Sequence, residues 1–226
     1  MITKFQVRTM LDMQAAMNAK VNPHWVDAGY PFLRAVVVEG SEAMDHHGWK
    51  WWKAQTMDLA QLQMELVDIW HFTLSHIVLS AAGNIDVAAE SLFGMVESSE
   101  TGAAVGIQFD GKRYSLDTMT VLDKLELLIG LSVSRRISIA LFSSLLRDCE
   151  MDWGELSRQY VMKNVLNFFR QDYGYKEGTY RKVWAGREDN EHLVEIVAGL
   201  DPLHPDFRDH IYGGLQQRYE QCCATT

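Results

Sequence analysis

Cysteine, proline and cationic residues are all scarce in this chain. The three cysteines, Cys149, Cys222 and Cys223, are odd in number with two adjacent, which suits neither a disulfide framework nor a metal-ligand spacing and points to a reducing compartment. The four prolines fall at 23, 31, 202 and 205, so the interval from Phe32 to Asp201 is free of the strongest helix breaker and long helices are allowed. Lys and Arg number 21 against 30 Asp and Glu, a net charge of −9. The basic surface that supplies most affinity for DNA or RNA backbones is therefore missing, and no nucleic acid polymer is expected as a partner. A single nucleotide can still be held where a few cations and a metal ion converge, because a site is local. No apolar run reaches the roughly 18 to 20 residues of a membrane span. The most apolar stretch, Phe72 to Ala89, is interrupted by Ser75, His76, Ser80, Asn84 and Asp86. The Met1-Ile2-Thr3-Lys4-Phe5-Gln6 start lacks the pattern of a secretory signal, so a soluble, cytoplasmic protein without membrane contact is expected.

What is present is apolar material, 47% of 226 residues, in helical rhythm. Phe5, Met10, Met13, Met17 and Val21 follow helical spacing up to Asn22-Pro23. Pro31 suits the first turn of a second helix that runs to His47 before Gly48. Leu59, Leu62, Leu66, Ile69 and Thr73 mark a third, from Met57 to Ser80, and the segments 117–130, 135–148 and 154–172 show the same periodicity. Two stretches break it. Near 100–115 an irregular or hairpin insertion is expected, with Asp110-Gly111 at its turn, and Gly174 to Asn190 forms a polar, aromatic loop suited to a site. With no repeat or linker, the expectation is one all-α domain over 1–226, a multi-helix bundle.

Glu39 and Glu42 lie three apart and share one helix face, as do Glu65 and Asp68 on the next helix. If the helices pack antiparallel, four carboxylates converge, which is unfavourable unless a cation neutralises them. The oxygen-seeking ion Mg²⁺ is the natural candidate. Solvated acids on amphipathic faces are the alternative. The apolar neighbours Ala35 to Val38, and Leu62, Leu66, Val67 and Ile69, favour the metal reading, because buried charges are rarely left unpaired.

Gly48-Trp49-Lys50-Trp51-Trp52-Lys53 concentrates aromatic and cationic groups. A Trp face can stack on a base while Lys meets phosphate; alternatively, at least two of the three Trp rings plug the junction between helices. Lys163, Asn167 and Arg170 share one helix face, while Met162, Val165, Leu166 and Phe169 share another that holds the helix down. The cationic face is either a solvated stripe or a ligand surface, and a triphosphate needs such a fork of donors beside a metal ion. Gln14 and Asn18, four apart on the first helix, can read a base edge with paired amides. His71 is either a site residue or a histidine satisfied within the core. His46-His47 beside Asp45 has no supporting Cys or His and is discounted.

Taken together, Glu39-x-x-Glu42, Trp49-Lys50-Trp51-Trp52-Lys53, Glu65-Leu66-Val67-Asp68-Ile69-Trp70-His71-Phe72 and Lys163-Asn164-x-x-Asn167-x-x-Arg170 leading to Gly174-Tyr175 resemble the dimeric all-α dUTPase family, within the all-α NTP pyrophosphatase superfamily. The resemblance runs from Met10 to Asn190 and is thin between 84 and 150. It implies the fold of that superfamily, a homodimer, and Mg²⁺-dependent hydrolysis of dUTP, and of dUDP, to dUMP. It implies metal ligation by Glu39, Glu42, Glu65 and Asp68; from the chemistry of the first pair, Glu39 or Glu42 is expected as the base that activates water. It assigns Lys163, Arg170, Tyr175 and Lys182 to phosphates and Asn167 to the deoxyribose. Gln14, Asn18, Trp49 or Trp51, and His71 are implied around uracil. For a viral source the expected location is the host cytoplasm.

This chemistry agrees with the residues themselves. A carboxylate can accept the proton of a water attacking the α-phosphorus, and amides matched to uracil penalise cytosine by roughly 1 to 3 kcal/mol for each buried polar group left unpaired. The rivals are a related pyrophosphatase acting on dCTP or several nucleotides, and a non-catalytic helical dimerisation or binding module.

Overall fold

Side-chain caps decide where the helices begin. The computed structural model describes residues 2–100, 106–200, 204 and 206–223, and about 70% of the chain is helical. Ten α-helices occur among the described residues: α1 Lys4–Val21, α2 Trp25–Ala28, α3 Phe32–His47, α4 Leu59–Ser80, α5 Ile85–Glu100, α6 Val121–Val133, α7 Ile139–Asp148, α8 Trp153–Asp172, α9 Asp189–Ala198 and α10 Phe207–Cys223. The chain is all-α, as expected.

Three expected helix starts move by a few residues, each for a local reason. Asp58 caps α4 by accepting the Gln61 N–H at 3.1 Å, so the helix starts after it rather than at Met57. Leu116–Thr118 forms a 3₁₀ turn, and Thr120 then caps α6 in a reciprocal box with Asp123. Ser138 caps α7, accepting the Leu141 N–H at 3.2 Å. The expected hairpin is present as β1 Gly106–Phe109 paired antiparallel with β2 Lys112–Ser115, and Asp110 and Gly111 at its turn both have positive φ, 48° and 73°. Residues 101–105 of that insertion lie outside the described residues. A second hairpin, β3 Val183–Trp184 with β4 Arg187–Glu188, occupies the loop expected at 174–190.

The chain divides into two compact units, Met1–Ala15 with Val26–Ser157, and Ala16–Trp25 with Arg158–Thr226. In the first, α3 packs along α4 and α6, while α7 lies against α5 and α6. Leu62, Leu66, Ile69, Trp70 and Leu74 turn the buried side of α4 into the centre of that core, where Trp70 stacks on Phe142 with ring centroids 5.1 Å apart. In the second, Phe169 is the hub: Tyr173, Tyr180, Trp184, Tyr212 and Tyr219 all pack their rings against it, over a core completed by Leu193, Ile211 and Leu215. No helix among the described residues is long and apolar enough to cross a membrane.

The left-handed positions at helix ends differ in which residue fills them. α8 ends with Tyr175 N–H on the Arg170 carbonyl and Gly174 N–H on the Gln171 carbonyl, which puts Gly174 at φ +90°. A Cβ there would also collide with Thr179 Oγ1. α6 ends in the same way, but the left-handed residue is Arg135, at φ +60°. Opposite effects are expected in urea unfolding. Gly174→Ala should lower stability by about 1 kcal/mol or more, and Arg135→Gly should raise it by about 0.5 to 1 kcal/mol.

Candidate active site

Packing of α3 against α4 brings the acidic pairs face to face. Oxygens of Glu39, Glu42 and Glu65 all lie within 4.8 Å of one another. Glu65 is buried, 8% exposed, because it shares α4 with the core residues Leu62, Leu66 and Ile69; Glu39 is half-buried and Glu42 is exposed. Burial, then the charges of Asp68, Glu65 and Glu42, then a hydrogen bond with Glu65, push the Glu39 carboxyl up to about 8. Asp68 is thus close enough to act on Glu39, although it stands outside the set of three converging oxygens. An all-oxygen donor set that resists ionisation without a counter-charge fits Mg²⁺.

His46, discounted from sequence, comes close to this cluster: its Nε2 lies 3.4 Å from Glu65 Oε1. Its carbonyl also accepts the Asp58 N–H at 2.8 Å, which links the end of α3 to the cap of α4. His71 is buried on α4 with Nδ1 3.0 Å from the Val67 carbonyl one turn back. Because a carbonyl only accepts, Nδ1 carries the proton in that contact.

The tryptophans do not plug a junction. Trp51 is 85% exposed and Trp52 60% exposed. Gly48 ends α3 in a left-handed conformation, and the rings then pack on one another edge to face at the surface, 4.5 Å apart for Trp51–Trp52 and 5.3 Å for Trp49–Trp52. Trp49 is anchored by Nε1–H donating to Asp45 Oδ1 at 2.6 Å, with Lys50 Nζ 5.6 Å over its ring. Gln14 is buried in the first unit, and Asn18, one turn later on α1, is half-buried in the second.

In the second unit Met162, Val165, Leu166 and Phe169 are buried, as expected of the face that anchors α8. The cationic face is not a solvated stripe. Lys163 is only 6% exposed, and Arg170 sits against Asp189, which is wholly buried. Asn167 Oδ1 accepts from Arg170 Nη1 at 3.2 Å. Gly174 presents Tyr175 to solvent, and Lys182 pairs with Glu188 at 3.0 Å. Asp189, Tyr180 and Asn190 were not foreseen. No periodicity links position 170 to position 189, though a buried Asn190 Oδ1 with no hydrogen-bond partner among the described residues marks the same spot.

Glu39 binds a proton more tightly folded than unfolded, so its contribution to stability is complete below its ordinary 4.5 and is lost as pH rises from there through about 8. In EDTA, the urea midpoint of the wild type should fall across that window relative to Glu39→Gln, whose profile should be flatter. Equal slopes for the two proteins would contradict the burial and like-charge crowding of the Glu39 carboxyl.

A family model described as dUTPase matches residues 6–175, which takes in both acidic pairs, the tryptophan block and α8, and leaves Tyr180, Lys182 and Asp189 beyond its end. No curated protein matches the chain.

Proposed function

We propose, from the premise that the chain belongs to the all-α dUTPase family and is a dUTP diphosphatase, that Glu39, Glu42, Glu65 and Asp68 serve a Mg²⁺-dependent hydrolysis at the α-phosphorus. dUTP yields dUMP and pyrophosphate, and dUDP yields dUMP and phosphate. The observation that carries this reading is the convergence of Glu39, Glu42 and Glu65 oxygens within 4.8 Å. Mg²⁺ held there would neutralise phosphate charge and acidify a coordinated water.

The chain's own residues do the rest. Glu39 or Glu42 accepts the proton of the attacking water, as a carboxylate within hydrogen-bond reach can. Glu65, fixed on the buried side of α4, keeps the cluster in place as substrate arrives and leaves. Lys163, Arg170, Tyr175 and Lys182 bind phosphate oxygens, and Asn167 contacts the deoxyribose. Gln14, Asn18, His71 and Trp49 or Trp51 receive uracil; an exposed Trp face suits base stacking, and the amides discriminate by the groups a wrong base leaves unpaired. The family resemblance supports a homodimer in the cytoplasm, or in the host cytoplasm for a viral source.

Pyrophosphate release from dUTP, dCTP, dTTP, dATP and UTP, with Mg²⁺ and with EDTA, tests the reading. A strong preference for dUTP that EDTA abolishes is expected. Glu65→Gln should fold normally and lose on the order of 100-fold or more in turnover, since even groups behind metal ligands are worth 10- to 100-fold. Near-wild-type turnover by that variant would remove α4 from the metal site.

A further inference from the structure

Asp189 opens α9 and is the carboxylate against which Arg170 is set. Its Oδ2 accepts Arg170 Nε–H at 2.8 Å and its Oδ1 accepts Arg170 Nη2–H at 2.7 Å, so the two planar groups meet edge to edge. The Tyr180 hydroxyl donates to Oδ2 at 2.8 Å, and the Asp189 N–H donates to the Lys182 carbonyl at 3.0 Å. Burial, then the Asp189 charge, push the Tyr180 hydroxyl well above its ordinary range, which keeps it a donor at every working pH. Asp189 is 0% exposed and Arg170 only 12%.

A buried ion pair is a poor device for stability alone, because apolar side chains of similar size often serve as well or better. It is a good device for orientation. A guanidinium is rigid and planar, so two parallel bonds along its Nε–Nη2 edge fix its position and plane, and with them the direction of its terminal Nη1–Nη2 edge. Freezing a long side chain ahead of binding removes that ordering from the binding step.

We propose that Asp189, itself held by Tyr180, is the positioning residue for Arg170, fixing the guanidinium in the orientation that meets a phosphate of the nucleotide. The proposal rests on the assignment of Arg170 to phosphate made above. Lys182 is tied to the same segment through the backbone only, its carbonyl accepting the Asp189 N–H, while its ammonium pairs with Glu188.

The test measures kcat and KM for dUTP with Mg²⁺, calorimetric binding of inorganic pyrophosphate, and unfolding. The variants are Arg170→Gln, Asp189→Asn, Tyr180→Phe and each of the last two combined with Arg170→Gln. Asp189→Asn should lower kcat/KM about 100-fold, the scale expected for misplacing a binding group. Tyr180→Phe, which leaves the ion pair intact, should lower it about 3- to 10-fold, chiefly through KM, with weaker pyrophosphate binding. Both effects should vanish in the Arg170→Gln background, as for residues acting through one another. A merely structural role would reduce the folded, active fraction and so kcat, leaving KM and pyrophosphate affinity unchanged.

If Arg170→Gln itself leaves kcat/KM and pyrophosphate binding intact, the phosphate assignment fails and the proposal with it. If Arg170→Gln is impaired while Tyr180→Phe and Asp189→Asn match the wild type, or if their losses persist undiminished without Arg170, the proposal is overturned and the assignment stands. Should Asp189→Asn not fold, the cycle between Tyr180→Phe and Arg170→Gln decides.

Discussion

Repulsion among like charges that packing forces together is the constraint on which the first unit turns. The buried side of α4 must face α3 to cover Leu62, Leu66 and Ile69, and the same rotation of the helix carries Glu65 inward toward Glu39 and Glu42. Two unit charges about 4 Å apart interact by about 4 kcal/mol at an effective dielectric near 20, so such a cluster does not stay fully ionised unaided. A shared proton relieves it, as the raised Glu39 carboxyl records. A divalent cation of the kind proposed above would relieve it further, and the crowding of the carboxylates would then favour its binding.

The same unit shows the opposite solution where no ligand is called for. Lys124, 3% exposed on α6, donates to Ser144 at 2.7 Å and meets Asp148 at 2.5 Å on α7, a buried cation compensated entirely within the protein. In the second unit Arg170 and Asp189 form a comparable internal pair. Lys124 and Asp189 are thus matched by an opposite partner, whereas Glu65 is crowded by its own kind.

The parts of the fold legible in the sequence are those where one apolar face dominates. The stripe on α4, the segment of α3 after Pro31 and the buried face of α8 all follow from spacing alone, and Asp110-Gly111 betrays its hairpin because few other pairs accept two positive φ values in succession. α10 hides for a physical reason. Its Gly213-Gly214 pair has low helix propensity, yet a Cβ at Gly214 would lie 2.6 Å from Ile196 Cγ2, so the glycine lets α9 and α10 approach. Of the candidate site, the approach of Glu39 and Glu42 to Glu65 was legible because i, i+3 spacing puts two side chains on one helix face, whereas Asp68 stays outside the converging set. The partnership of Arg170 with Asp189 and the approach of His46 to Glu65 were not legible, since each depends on tertiary packing that no local pattern encodes. The tryptophan block misled for a related reason: hydrophobicity argues for burial, while the left-handed turn at Gly48 sends the rings outward.

That outward turn has an optical consequence. Of the seven tryptophans, Trp70 and Trp184 sit in wholly buried settings, while Trp51 and Trp52 stand in water with their rings in mutual contact. Emission of the surface pair is expected at longer wavelength and open to collisional quenchers, and that of the core pair shielded from water and quenchers. The molecule therefore holds indoles in contrasting environments, and a ligand that stacks on the outer rings would alter the emission of those rings without a label.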